Sequence, residues 1–218
     1  MVGGTASRAR STNSIDSRKR HISSNSTVLV GVMVLPRMVK AFELIRAQTG
    51  KEDVLMTRLM KLPQVRETHL LAGDWDVVAT LAFDEAPIDP RERMLDVVTG
   101  KIRKMPLVRD TNTIVPAISM MRDAHLAHPE RRAYAFVFID ARLGKGQPVM
   151  HQLMKYSEVV ESHLLLGKHD VLAVLEFEKG IVPPVSERVA RIVTEEIARI
   201  GDIIDTETLC PIRSIVKD

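Results

Sequence analysis

Along the chain, the period of hydrophobic and polar positions changes in a fixed order, and the order is run through twice. Residues 39–47 (VKAFELIRA) and 134–142 (YAFVFIDAR) are rich in aromatic and branched side chains, which suit the pleated, half-buried surface of a strand. After Gly50 and Gly144 the pattern turns helical. Leu55, Met56, Leu59 and Met60 form one stripe, and Val149, Met150, Leu153 and Met154 form its counterpart. Each copy continues with two strand-like runs parted by a Gly-containing turn: VRETHLLAG then WDVVATLAF, and VVESHLLLG then HDVLAVLEF. Each pair predicts a hairpin. A second helix follows, with Met94, Val98 and Ile102 on its apolar stripe in the first copy and Val189, Val193, Ile197 and Ile200 in the second; Pro90 and Pro184 suit its start. A last strand (VRDTNTIVP, IIDTETLCP) completes the order β-α-β-β-α-β, the ferredoxin-like split arrangement.

The two copies are a repeat in sequence as well as in pattern. Residues 42–83 lie on 136–177 without a gap and agree at 20 of 42 positions, far above chance; one extra residue in the next loop brings 98–116 onto 193–211. The fold question therefore reduces to one small unit and how two of them meet. Two helices cover one face of a four-stranded sheet and leave the other bare, so two tandem copies are expected to pack sheet to sheet. The expected fold is α+β, an intrachain pseudo-dimer of the dimeric α/β-barrel kind. Its expected parts are a tail (1–38), a first module (39–119), a linker (120–132) and a second module (133–218).

The ordered set of motifs, VRETHLLAGDWDVV with RDTNTIV and VVESHLLLGKHDVL with IDTETL, resembles the ligand-binding (RAM) domain of the Lrp/AsnC family of transcription regulators. The resemblance covers nearly all of 39–116 and 134–213. It implies domains that dimerise through their sheets, build larger homo-oligomers and bind amino acids or related metabolites near subunit interfaces. That family usually carries a helix-turn-helix ahead of this domain, and the 38 residues before the first module show no pair of adjacent amphipathic helices. The resemblance then implies a sensor that does not itself bind DNA through its folded domains and that joins a partner such as a full-length regulator of the family.

Charge changes this picture only at the N-terminus. Residues 1–26 carry Arg8, Arg10, Arg18, Lys19 and Arg20 against Asp16 alone, so a net charge of +3 leaves the modules slightly acidic. The Ser-rich tail is expected to be disordered, or absent if translation starts at Met33 or Met38; its SRKRH run (17–21) has the composition to grip phosphates. The apolar run 28–36 is about half the length of a membrane span, so no membrane partner is expected. A single cysteine, Cys210, makes no internal disulfide, which sets a reducing cytoplasm as the expected compartment.

Candidate chemistry concentrates at the hairpin turns, GDWD (73–76) and GKHD (167–170). Gly73 and Gly167 permit positive φ and close approach, turn amides and carboxylates suit the charged ends of a free amino acid, and Asp76 and Asp170 are candidates to accept from an α-ammonium. Thr111, Thr113, Thr206 and Thr208 on the closing strands add hydroxyls. The competing structural reading is that Asp after a turn holds backbone and Thr is an ordinary strand residue. The turns differ: if both bind, Asp74 and Trp75 in the first suit a cationic or aromatic group and Lys168 and His169 in the second suit an anion, giving two unequal sites; relaxed selection on one copy accounts for the difference equally well.

His69 and His163 hold equivalent strand positions, where a half-buried structural role outweighs metal or haem ligation; ligand spacing for a metal is lacking in the folded repeats, His125 and His128 lie in the linker, and no metal is expected. Cys210 matches Val115 in the other copy, which points to packing, and GKGQP (144–148) lacks phosphate-loop spacing. The expected function is a non-enzymatic, cofactor-free effector-binding module that regulates transcription through a partner. The alternatives are a structural oligomerisation partner or a dimeric α/β-barrel enzyme such as a small monooxygenase.

Overall fold

The computed structural model describes residues 38–84, 89–122, 129–180 and 182–217. The SRKRH run, and His125 and His128 of the linker, lie outside them. The first repeat runs β1 (Met38–Ala47), α1 (Glu52–Leu59), β2 (Val65–Leu70), β3 (Val77–Asp84), α2 (Pro90–Leu95) and β4 (Val108–Ile114), followed by β5 (Ile118–Met121). The second runs β6 (Arg132–Ala141), α3 (Gly146–Leu153), β7 (Val159–Leu164), β8 (Val171–Glu178), α4 (Val185–Arg191), β9 (Ile203–Leu209) and β10 (Arg213–Val216). Both second helices continue as π-helical stretches, Asp96–Ile102 and Ile192–Glu196. At the start of α2, the Asp89 carboxylate accepts from the Arg91 amide at 2.9 Å, and Pro90 fills a position whose missing N–H costs nothing.

Two five-stranded antiparallel sheets result, ordered β10-β2-β3-β1-β4 and β5-β7-β8-β6-β9. Strand alternation sends Ala41 and Ile45 of β1 into the core under the helices of its own repeat, while Phe42 and Leu44 enter a separate core between the sheets. There they meet Phe136 and Phe138 of β6; the equivalent rings of Phe42 and Phe136 stand edge to face, 6.4 Å apart. The sheet-to-sheet pseudo-dimer expected from the repeat is the fold observed, and both repeats fall in one compact unit.

The fifth strand of each sheet comes from the opposite repeat. β5 pairs with β7, and β10 pairs with β2. Met120 and Met121, assigned to the linker by sequence, belong to β5, and Arg132 opens β6, so the boundaries at 119/120 and 132/133 fall inside strands; Met38, assigned to the tail, opens β1. A four-residue strand has too few positions to declare a period, and its partner lies in the other module. Each exchanged strand ends on a cation that reaches carbonyls just beyond the first helix of the module it joins. Arg122 Nε donates to Val159 O at 3.0 Å and Nη2 donates to Tyr156 O at 2.9 Å; Lys217 Nζ donates to Leu62 O at 2.6 Å. Among the described residues, no helix is long and apolar enough to cross a membrane.

Candidate functional site: a cleft between the two modules

The turns are held by their aspartates. Asp76 accepts from the Ala47 amide through Oδ2 at 2.7 Å, and its own amide donates to Ile45 O at 3.0 Å, so it pins the turn to the bulge at Arg46/Ala47 of β1. Asp170 repeats this with Ala141 at 2.8 Å and Ile139 O at 3.0 Å. The ladder closes at Leu71 N to Asp76 O and at Leu165 N to Asp170 O, 2.8 Å each, leaving four-residue turns. Gly73 takes φ +149°, which a side chain would strain; Gly167 needs no such conformation, so the turn-forming role expected of both glycines is conformationally demanded only at Gly73.

Trp75 of the first turn and Leu166, Gly167, Lys168 and His169 of the second border one cleft of about 330 Å³. The first module contributes Leu44 of β1, Trp75 of the turn, and Asn112, Thr113, Ile114 and Val115 at the end of β4. The second contributes Phe138 of β6, the turn residues Leu165, Leu166, Gly167, Lys168 and His169, and Glu207 and Leu209 of β9. Of the sequence candidates, Trp75, Thr113, Gly167, Lys168 and His169 are brought together here. Gly73, Asp74, Asp76, Thr111, Asp170, Thr206 and Thr208 are not among the residues lining it. Thr111 instead accepts from Arg103 Nε at 2.8 Å.

The remaining lining residues were missed by sequence reasoning, although the alternation of β1 and β6 placed Leu44 and Phe138 on the face toward the other module. Which end of that face stays open depends on how the sheets cross.

Charge at the cleft comes from the second module. Lys168 Nζ lies 3.5 Å from Glu207 Oε2, with its side chain 80% exposed. His169 bonds Asp140 through Nδ1 at 2.8 Å, stands 3.6 Å from Glu207 through Nε2, and tilts over Phe138 at 5.2 Å. The acidity expected of the first turn does not reach the cleft, because Asp74 is exposed outside it. The cation expected over Trp75 is the protein's own Arg46, with Cζ 5.0 Å from the ring centroid and Nε donating to Asp74 O at 2.9 Å.

Away from the cleft, each exchanged strand is tied by a buried imidazole. His69 contacts Ser214 Oγ of β10 at 2.8 Å and Glu67 Oε2 at 3.2 Å, and His163 contacts Ser119 Oγ of β5 at 2.9 Å and Glu161 Oε2 at 2.9 Å. Both nitrogens of each ring are engaged. Burial alone would raise the Glu161 carboxyl, but the hydrogen bond to His163 and the charge of Lys40, with which it pairs, bring it down to about 2.

No protein-family model matches this chain, and no curated protein matches it. Solved structures do. A monooxygenase-like protein from Lactobacillus acidophilus NCFM matches 83% of this chain and 99% of its own at 7% identity, with a TM-score of 0.54. The siroheme decarboxylase NirDL matches 81% of this chain and 72% of its own at 12% identity, with a TM-score of 0.55. FFRP-DM1, of the Lrp/AsnC group, is 31% identical over 35% of this chain and 96% of its own, with a TM-score of 0.31. The first two likenesses are likenesses of fold: this chain has a tandem ferredoxin-like architecture that other proteins also carry.

Proposed function

We propose that this chain is a small-molecule effector-binding regulatory module, which takes an amino acid or related metabolite in the cleft between its modules and acts on transcription through a partner protein. The observation that carries the reading is the convergence of both turns on one cleft with an apolar floor and a rim of opposite charges. Buried Leu44 and Phe138 and half-buried Leu209 line the cleft together with Lys168 and Glu207, whose side chains are exposed. A zwitterion matches that rim: its carboxylate replaces Glu207 beside Lys168, its ammonium faces Glu207, and its side chain enters the apolar part. The 3.5 Å pair between these two exposed side chains is a weak contact for a ligand to displace. A regulator of the Lrp/AsnC type is the partner this reading names, and self-association of the two-module chain belongs to the same reading.

The test is a thermal-shift screen of the twenty amino acids and common metabolites against the parent, Lys168→Ala and Glu207→Ala. A ligand that binds the native state raises the midpoint with its saturation. The expected result is a shift in the parent that both variants lose; no shift with any compound would sink the reading.

A second reading, a dimeric α/β-barrel enzyme, is favoured by the hydroxyl, imidazole and carboxylate of Ser119, His163 and Glu161, which stand in hydrogen-bonded order. Turnover of an O₂-dependent or ester substrate that is lost in His163→Gln and kept in Lys168→Ala would put this reading first.

A further inference from the structure

We propose that, among amino acids and related carboxylates, the cleft prefers one with a flat aromatic ring, bound one per chain, with its ring against Trp75 and its carboxylate toward Lys168. The inference rests on the cleft being a ligand site and goes on to name the ligand class and its orientation. Trp75 and His169 occupy equivalent positions in the two turns, and both line the cleft. Each ring is fixed by its own module. Trp75 carries the Arg46 guanidinium over its ring at 5.0 Å, and that guanidinium is anchored in turn to Asp74 O. His169 is bonded to Asp140 and rests on Phe138 at 5.2 Å. Aromatic surfaces already locked in place lose little freedom when a planar ligand stacks on them, so they favour a flat π-system over a flexible aliphatic chain.

Orientation follows from the departures from two-fold symmetry. Leu44 answers Phe138 and Ile114 answers Leu209, apolar for apolar. Lys168 lines the cleft, whereas its counterpart Asp74 does not, and Glu207 stands where the first module has Asn112. Among the lining residues Lys168 is the only lysine or arginine, so an anionic head has one place to go and the two-fold equivalent pose is not available. A volume of about 330 Å³ suits one bicyclic ring system and not two ligands side by side.

Titration calorimetry of the full chain with 2-naphthoate, cyclohexanecarboxylate and L-leucine tests this. The expected result is 2-naphthoate binding at one per chain and more tightly than cyclohexanecarboxylate. Trp75→Ala should weaken it roughly three- to tenfold while Trp75→Phe keeps most of the affinity. Lys168→Glu should weaken it about fivefold. If L-leucine or cyclohexanecarboxylate binds as tightly as 2-naphthoate, or Trp75→Ala leaves the affinity unchanged, the aromatic assignment is overturned and the cleft remains a ligand site. Two equivalents per chain would overturn the single orientation. No heat from any of the three compounds overturns this inference and counts against the effector-binding reading beneath it.

Discussion

On the helix-facing side of β1, Glu43 takes the place that Val137 holds in the second module. It is 0% exposed, and among the described residues neither carboxylate oxygen has a hydrogen-bond partner of ordinary geometry. Burial pushes its carboxyl up, against weaker opposing pulls from Thr113, Thr111 and Arg103. A glutamate whose folded pKa lies above its unfolded value holds a proton in the folded state that the unfolded chain gives up. Its contribution is therefore most favourable below the ordinary value of roughly 4.3 and declines as pH rises through the folded pKa. Glu43→Val, which installs the residue of the other copy, should stabilise the protein at pH 8 by roughly 1–3 kcal/mol and by less at pH 4. Denaturant unfolding at the two pH values is the measurement. Equal stability of parent and variant at pH 8 would show that the carboxylate has found partners in solution.

One of the shortest elements ties the two modules together. β10 brings Ser214 to His69, Ile215 and Val216 to the apolar cores, and Arg213 to Asp53 of α1, and it covers the outer edge of β2. Ending the chain after Ile212 should lower the melting midpoint by about 5–10 °C and promote association through the bared β2 edge. Ser214→Ala, which removes one hydrogen bond and leaves the ladder, should cost about 2–4 °C. A truncated chain that melts with the parent would mean the ladder contributes nothing.

The long elements were legible because each shows its period over several turns or pleats, as the buried stripe Leu55, Met56, Leu59 and the stripe Met94, Val98, Ile102 both do. β5 and β10 were not, since a four-residue strand declares itself only through the partner it meets. The aspartates of the turns were legible as important, with two roles left open. From sequence alone, a carboxylate beside a turn serves a ligand or a backbone amide equally well, and here Oδ2 of each meets the amide of a bulge on β1 or β6.

At the scale of the whole molecule, neither module is complete by itself. Each sheet lacks its fifth strand without the other repeat, and each would leave bare the face that carries Phe42 and Leu44 or Phe136 and Phe138. Fully burying one such side chain contributes roughly 1.5–3 kcal/mol, so the inter-sheet core outweighs the marginal stability expected of a lone module of this size. Residues 38–122 and 129–217, produced separately, should therefore aggregate or remain unfolded, and should regain cooperative unfolding when refolded together. A monomeric fragment that unfolds cooperatively on its own would contradict this, with circular dichroism and sedimentation as the measurements.

The sequence by itself determined the repeat, the order of elements and the need for a second sheet, because period and self-similarity are properties of the chain read in line. Only the tertiary structure decided that the last strand of each module crosses to the other and that two turns, 94 residues apart in sequence, share one cleft. It also decided that the charge of that cleft comes from one side. Those outcomes depend on how the two apolar sheet faces align on each other, and the packing of side chains from both copies sets that alignment.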